Sequence, residues 1–306
     1  MKFKDYKYER PNIETYKEEA ISLLENFKSA DSIATQVEIM DKLIQKEKDI
    51  FTMLEICYIR NSIDTTDDFY DKEVEFMDEM MPEVEGIKTK YYKTILESQF
   101  RKELEEKFGE LLFKKAENQI QTFDDCILED LKKENKLSTE YRKLIASAEI
   151  EFDNKTLNLS QMTPYRESNN RGTRKLANEA YFGFLNSKRD ELDRIYDELV
   201  SIRTEMAKKL GYDSFTELGY KRMERLDYDQ EMVQVFRDQV KDHIVPICTE
   251  LRKRQQNRLN YETFKYFDEN YRFLSGNPIP KGDPKWIESK AVKMYKELSP
   301  ETHEFF

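Results

Sequence analysis

The feature that most constrains the fold is a helix–glycine–helix pattern between Arg171 and Tyr228. Apolar residues recur there every three or four positions, which predicts a long helix with one buried face. The residues of this predicted face are Leu192, Ile195, Tyr196, Leu199, Ile202, Met206 and Leu210. We expect Ser187 to cap the start of the helix and Gly211 to end it in a left-handed conformation. Because Asp213 or Ser214 can begin a second helix, the stretch predicts a rigid helical corner.

Elsewhere the sequence also favours long helices over sheets. Its 306 residues include only 8 Gly and 8 Pro, so turns are few and the elements between them are long. We therefore expect a mainly α fold, a helical array. Further predictions are a helix from Asn12 or Thr15, one over 31–63, one over 69–81 that stops or kinks at Pro82, one over 91–113 and a kink at Pro246.

One segment has the spacing of β-structure. Apolar and polar residues alternate on both sides of the sequence DNKT between Ser147 and Pro164, which is typical of a hairpin. It is the one β-element that the sequence predicts. We place a domain boundary at this hairpin, with an N-terminal helical lobe over 1–146 and a hairpin followed by helices over 147–306.

Charge limits the partners that the chain can bind. The 51 basic and 62 acidic residues give a net charge of −11, which argues against nucleic acid or an anionic membrane surface as the main partner. The basic run LRKRQQNRL (251–259) could suggest a nucleic-acid patch. Leu251 and Leu259 lie eight residues apart, as on one helix face, so we prefer the solvated flank of a helix.

The cysteines and the N-terminus indicate the compartment. Cys57, Cys126 and Cys248 are dispersed and odd in number, which favours small core residues in a reducing cytosol over a disulfide framework or a metal site. The first residues lack the apolar core of a signal peptide, and no run has the length of a membrane span. The sequence predicts a cytoplasmic protein.

Catalytic motifs are absent from the sequence. It has two histidines, His243 and His303, and they lie in separate elements. The terminal His303-Glu304 reads as HExx, but the second histidine of an HExxH zinc site is missing. We interpret His243 as structural and His303 as a residue of a surface helix. The residues thus predict a helical protein with no catalytic residue and no metal ligand, and they assign no substrate-binding residue.

A series of phrases, in order, resembles the thimet-oligopeptidase-like zinc metallopeptidases, in particular their oligoendopeptidase F branch. The phrases are AEIEFDNKTLNLSQM (148–162), RKLANEAY (174–181), LVSIRTEMAKKLGYDSFTELGYKRMERLDY (199–228), VQVFRDQVKDHIVPICTELRKRQQNRL (233–259) and YFDENYRFLSGNPIPKG (266–282). The helical leader, with FYDKEVEF (69–76), resembles the N-terminal region of the same family. The resemblance covers essentially the whole chain.

This resemblance implies a zinc endopeptidase that cleaves short peptides in a deep channel between two largely helical lobes. In the family, zinc is held by an HExxH helix and a later glutamate, and neither has a counterpart here. We expect the chain to be the N-terminal and middle portion of such an enzyme. It would supply a helical wall of the cleft, bind no zinc and be inactive alone, whereas the full-length parent would hold zinc. The end of the chain at HEFF, without a stop signal, suggests truncation rather than a natural terminus.

The alternative is a non-catalytic helical module that binds peptides or proteins. The predicted partners are short peptide substrates, with no nucleic acid and no membrane, whereas the alternative would bind either peptides or proteins. The sequence assigns neither the preferred peptide, nor the oligomeric state, nor the residues that line the channel.

Overall fold

The structure, a computed structural model, describes residues 3–305 and consists mainly of α-helices. The described helices are α1 (Ile13–Ser29), α2 (Ile33–Ile63), α3 (Asp68–Leu96), α4 (Arg101–Phe108), α5 (Glu110–Gln119), α6 (Leu128–Ala146), α7 (Thr163–Arg166), α8 (Arg171–Ser187), α9 (Arg189–Lys209), α10 (Phe215–Arg222), α11 (Gln230–Gln239), α12 (Val245–Arg258), α13 (Pro284–Leu298) and α14 (Pro300–Phe305). Two antiparallel strands, β1 (Ile150–Phe152) and β2 (Lys155–Leu157), form a hairpin. The predicted fold class, mainly α with one small hairpin, is confirmed for the described residues.

The chain divides into two compact units. Unit 1 comprises Met1–Glu149 and Phe184–Val240, and unit 2 comprises Ile150–Gly183 and Lys241–Phe306. Unit 2 begins at the hairpin, and the chain re-enters unit 1 within α8. The division into lobes at residue 147 stays a prediction.

The core of unit 1 joins side chains from its first five helices. Phe27, Met40, Ile95, Leu104 and Phe113 come from α1 to α5 in turn, and all five are buried in one cluster. Complete burial of an apolar side chain of this size contributes roughly 1.5–3 kcal/mol. This cluster therefore fixes the packing of the N-terminal helices.

A proline lies inside α3 without ending it. Pro82 has no N–H to donate to the carbonyl of Asp78, four residues earlier, so that oxygen needs another donor. The side-chain amide of Asn135, on α6, supplies one, with 3.1 Å between Nδ2 and the Asp78 oxygen. Of the two predicted outcomes at Pro82, the stop is wrong because α3 continues to Leu96, and the kink stays a prediction.

The helix predicted over 91–113 is also wrong. The chain leaves α3 at Leu96, forms α4, and then turns at Gly109 into α5. Gly109 has a φ of 89°, a left-handed conformation that only glycine adopts readily. The apolar spacing continued across both breaks, so periodicity alone did not reveal them.

The helical corner around Gly211 is present in unit 1, with two differences from the prediction. Gly211 has a φ of 83°, and its N–H and that of Tyr212 donate to carbonyls of the last turn of α9, as in a Schellman motif. However, Ser187 is the last residue of α8, and its hydroxyl donates to the Phe184 carbonyl, so its predicted capping role is wrong. Tyr196, predicted to be buried, is 69% exposed.

Two glycine substitutions should have opposite effects on stability. Gly211→Ala is expected to lower the free energy of unfolding by about 1–2 kcal/mol, since a Cβ is strained in the left-handed region. Gly183→Ala, inside α8, should raise it by roughly 0.5–1 kcal/mol, because alanine restricts the unfolded chain. A Cβ at Gly183 meets no atom within 4 Å. Urea unfolding of both variants tests the pair, and equal effects would contradict it.

The predicted hairpin is confirmed in unit 2. Ile150 pairs with Leu157 and Phe152 with Lys155. Asp153 and Asn154 connect the strands with φ values of 53° and 56°, as a two-residue type I′ turn requires. The DNKT sequence supplied this turn because Asp and Asn tolerate the left-handed region.

Exposed apolar side chains lie along several helices. On α11, Met232, Val235 and Phe236 form a stripe at helical spacing, and on α12 Ile247 and Leu251 lie one turn apart. None of the helices in the part of the chain described by the structure combines the length and apolar character that crossing a membrane would demand.

Candidate functional site

The most completely buried charges form an ion-pair cluster in unit 2. Arg174 on α8 and Asp268 in the loop after α12 both have side chains that are 0% exposed, and Arg174 Nη2 lies 3.1 Å from Asp268 Oδ1. Arg171 Nη2 lies 2.7 Å from the other carboxylate oxygen. Burial tends to raise the pKa of Asp268, but hydrogen bonds from Arg171, the Lys265 N–H and Arg174 hold it below the ordinary value. Asp268 therefore stays ionised, and the cluster attaches the loop to α8.

Arg174 also organises two tyrosines of the same loop. Its Nη2 donates to the Tyr261 hydroxyl at 2.8 Å, and its guanidinium lies 4.1 Å from the centroid of the Tyr271 ring. Its Nη1 donates to the carbonyl of Ser168 at 2.7 Å. A single buried cation thus connects α8, the segment before it and the loop after α12.

The basic run at 251–259 contributes to the same loop. Gln255 Nε2 donates to three loop carbonyls, and Arg252 and Arg258 donate to the carbonyls of Glu269 and Arg272. The run lies on α12, as the helix-flank interpretation expected. Its two leucines differ, however, since Leu259 is 2% exposed and Leu251 is 55% exposed.

A second candidate is a cavity of about 290 Å³ in unit 1, here called the Pro82 cavity. It is lined by apolar side chains of α3 and of the α5–α6 connection and by polar side chains of α3, α5 and α10. The side chains used below are Met81, Pro82, Phe123, Glu85, Gln119 and Arg222. A carboxylate and a guanidinium thus lie at one small cavity.

The cationic part of the Pro82 cavity belongs to a three-residue charge cluster. Arg222 Nη2 and Arg203 Nε each lie 2.7 Å from a carboxylate oxygen of the buried Glu134. Burial alone would raise the pKa of Glu134, but the bonds and charges of Arg222 and Arg203 bring it below the ordinary value. Two cations and one anion leave a net charge of +1 beside the cavity.

The negative charge at the Pro82 cavity, on Glu85, is less well compensated than the charge of Glu134. Gln119 donates a short hydrogen bond to Glu85 Oε1. Burial raises the pKa of the Glu85 carboxyl, and the Lys88 charge, the Gln119 hydrogen bond and the Arg222 charge offset this only partly. An ionised Glu85 therefore costs stability.

Glu85→Gln is expected to raise the free energy of unfolding at neutral pH. A carboxyl whose folded-state pKa is raised destabilises the fold above that pKa, and the penalty vanishes below the unfolded-state pKa. The gain should therefore disappear below about pH 4, near the ordinary pKa of glutamate. Urea unfolding across this range is the measurement. Glu38→Gln is the control, because Lys42 lowers the pKa of Glu38 and no gain is expected.

The described residues do not fit zinc. Residues 3–305 contain no group of three or more His, Cys, Asp or Glu side chains that could hold a metal ion, whereas zinc sites use three or four such ligands. His243 lies in a π-helical turn just before α12, and His303 is exposed on α14. The predictions of no catalytic and no metal residue stay predictions, as does the absence of an assigned substrate site.

The cysteines are free thiols, but only one is in the core. Cys57 is buried beside Leu54 and Met77. Cys126 and Cys248 are exposed, so their prediction as core residues is wrong. Both lie in helical turns with apolar neighbours, and that pattern did not distinguish the buried side from the exposed side.

Sequence reasoning did not identify the charged groups of either candidate. Arg174 and Asp268 are 94 positions apart, and Glu134 and Arg222 are 88 apart. The phrases that carry the family resemblance contain Arg174, Asp268, Arg203 and Arg222, but no role was predicted for them. No local spacing connects such residues, because the fold alone brings them together.

Two family models match the chain in order. Residues 3–123 match the peptidase M3 N-terminal domain, and residues 164–274 match peptidase family M3. A comparison with curated proteins returned no match. The chain belongs to peptidase family M3.

Comparison with solved structures shows which members of the family the chain resembles in sequence and fold. It is 50% identical to a protein described as an oligoendopeptidase F from Bacillus anthracis strain Ames, with a TM-score of 0.97. The match covers 100% of this chain and 56% of that chain. The chain is 48% identical to a PZ peptidase A solved with an inhibitor, with a TM-score of 0.98, and covers 54% of that chain with 99% of its own. The oligoendopeptidase F of Enterococcus faecium is 13% identical, with a TM-score of 0.61 over 96% of this chain and 63% of that one, and shows the fold alone.

The resemblance to the oligoendopeptidase F branch is thus confirmed. The chain spans slightly more than half the length of the two solved structures to which it is about half identical.

Proposed function

We propose that this chain is part of a zinc metalloendopeptidase that cleaves short peptides, and that it supplies a helical wall of the substrate channel. The observation that carries the proposal is the similarity to an oligoendopeptidase F, which extends over the whole of this chain with 50% sequence identity. The zinc ligands would lie outside residues 1–306, since the sequence contains no HExxH motif. The chain alone would then be inactive.

The exposed apolar stripes support a role within a larger fold. Met232, Val235 and Phe236 on α11 lie on one helix face and are all more than half exposed. Contiguous apolar surface of this kind usually marks a contact with other polypeptide. In the proposed enzyme, the remainder of the peptidase fold would cover it.

The helical wall would act through shape and position. A narrow channel admits a flexible short peptide and excludes a folded protein. Binding the peptide along the wall would also hold its scissile bond near the catalytic groups, which removes part of the entropic barrier. The proposal includes a cytoplasmic location, short peptides as partners, and no nucleic-acid or membrane partner.

Metal content and hydrolysis test this function directly. We expect the 306-residue chain to bind no stoichiometric zinc and to cleave no peptide, and a longer chain that continues through an HExxH motif to do both. The control is the longer chain with the glutamate of that motif replaced by glutamine, which should keep zinc and lose hydrolysis. A longer chain that binds no zinc and cleaves no peptide would refute the proposed peptidase function.

The alternative, a non-catalytic binding module, makes a different prediction. The 306-residue chain alone would unfold cooperatively and bind peptides, and extension would add no hydrolysis. The same pair of proteins therefore separates the two functions.

A further inference from the structure

The Pro82 cavity has the size and rigidity of a site for a small molecule. Its volume of about 290 Å³ is just below the range of drug-sized ligand sites, roughly 300–1,000 Å³, as suits a smaller molecule. Pro82 is buried within α3, and the Phe123 ring packs against Gly86, where an added Cβ would lie 3.3 Å from it. The apolar lining at Pro82 and Phe123 is therefore held in place by close packing on α3.

The acidic side of the cavity has unused acceptor capacity. Within residues 3–305, Gln119 is the only hydrogen-bond donor to the Glu85 carboxylate, and an ionised carboxylate can accept about four hydrogen bonds. The nearest cation by charge effect, Lys88, is paired with Glu47 at 3.0 Å. Glu85 can therefore accept hydrogen bonds from an ammonium group.

The basic side has excess positive charge. Glu134 neutralises one of the two guanidinium groups of Arg203 and Arg222, and the second charge is not matched within the cluster. Arg222 lines the cavity with a side chain that is 29% exposed, and in the described part of the chain its Nε has no hydrogen-bond acceptor. Glu85, at the same cavity, already balances this charge, but Arg222 still has the capacity to donate to the carboxylate of a ligand.

From these features we propose that the Pro82 cavity binds a free amino acid or dipeptide with an apolar side chain. The ammonium group would lie at Glu85, the carboxylate at Arg222 and the side chain against Met81, Pro82 and Phe123. The opposite charges at one cavity select a zwitterion over a ligand that carries either charge alone. This binding does not depend on the proposed peptidase activity, because it uses residues of this chain only.

Calorimetry with four probes tests the chemistry of the ligand on the unmodified 306-residue chain. The probes are leucine, glycyl-leucine, 4-methylpentanoate, which lacks the ammonium group, and isoamylamine, which lacks the carboxylate. We expect leucine or glycyl-leucine to bind at least about tenfold more tightly than either singly charged analogue, which corresponds to about 1.4 kcal/mol. No heat of binding with either zwitterion at millimolar concentration, or equal binding of the analogues, would overturn the proposal.

Three variants locate the site. Glu85→Gln and Arg222→Met should each weaken the binding of the zwitterions at least about tenfold, that is by about 1.4 kcal/mol. Arg194→Met, which removes an exposed ion-paired arginine elsewhere in unit 1, should leave binding unchanged. Circular dichroism confirms that each variant is folded. Folded variants that bind leucine as the parent does would place the ligand elsewhere and refute the assignment.

Discussion

Replacing Arg174 by methionine is expected to destabilise unit 2 by about 3–5 kcal/mol, because it removes several hydrogen bonds of a buried guanidinium, each worth roughly 1.5–3 kcal/mol. Arg174 and Asp268 are both fully buried, so water cannot replace the hydrogen bond between them, although Arg171 still pairs with the carboxylate. The substitution also removes the donors to the Tyr261 hydroxyl and the Ser168 carbonyl. Denaturant unfolding, together with hydrogen exchange of the amides over 261–276, measures the loss.

Arg171→Met is the matched control for this effect. Arg171 binds the same carboxylate, but its side chain is 38% exposed and Arg174 remains to neutralise Asp268. We expect a smaller loss, about 1.5 kcal/mol, near the lower limit for a charged hydrogen bond. If the two variants lost equal stability, burial of Arg174 would not be the cause. If neither lost stability, the loop would not depend on this cluster.

The second large effect concerns the Asp78 carbonyl, which lacks a helical hydrogen-bond donor because Pro82 has no N–H. Asn135→Leu is expected to lower the free energy of unfolding of unit 1 by about 1–3 kcal/mol, because it leaves the buried Asp78 carbonyl without a donor. The proline is the reason that this oxygen needs Asn135. Equilibrium unfolding in urea measures the loss.

A double-mutant cycle isolates this cause. Pro82→Ala restores an N–H that can donate to the Asp78 carbonyl within α3. In that background Asn135→Leu should therefore cost much less than in the parent protein. Equal costs in both backgrounds would show that Asn135 acts through packing and not through the hydrogen bond.

Local features of the fold were predictable because their causes lie within a few residues. Asn12 caps α1, and Asp153 and Asn154 form the turn of the hairpin. Gly211 ends α9 in the expected conformation. In each case one side chain, or its absence, decides the backbone conformation at that position.

Other features depend on contacts between distant residues. Ser187 is a good capping residue, but α8 continues through it and α9 begins two residues later. Tyr196 fits the apolar spacing of α9, yet its side chain is 69% exposed. Pro82 does not end α3 because Asn135 supplies the missing donor from another helix. Periodicity reports which residues could be buried and does not report what packs against them.

The candidate sites were harder to predict from the sequence than the fold was. The family resemblance indicated a peptidase but carried no residue of the catalytic centre, since the matching motif is not in this sequence. Glu85 and Arg222 belong to separate helices, and neither forms part of a local motif. Their relation follows from how α3, α5, α6 and α10 pack, which the sequence pattern did not specify.

Gln255 has a consequence for the ageing of the molecule. Its amide nitrogen lies 2.7–3.3 Å from three carbonyl oxygens of the loop. Spontaneous deamidation would replace this nitrogen by an oxygen of a carboxylate, which has no hydrogen to donate. The new atom would then face three other acceptors in a buried position. Loss of ammonia from this one side chain would therefore release the segment that Gln255 now holds.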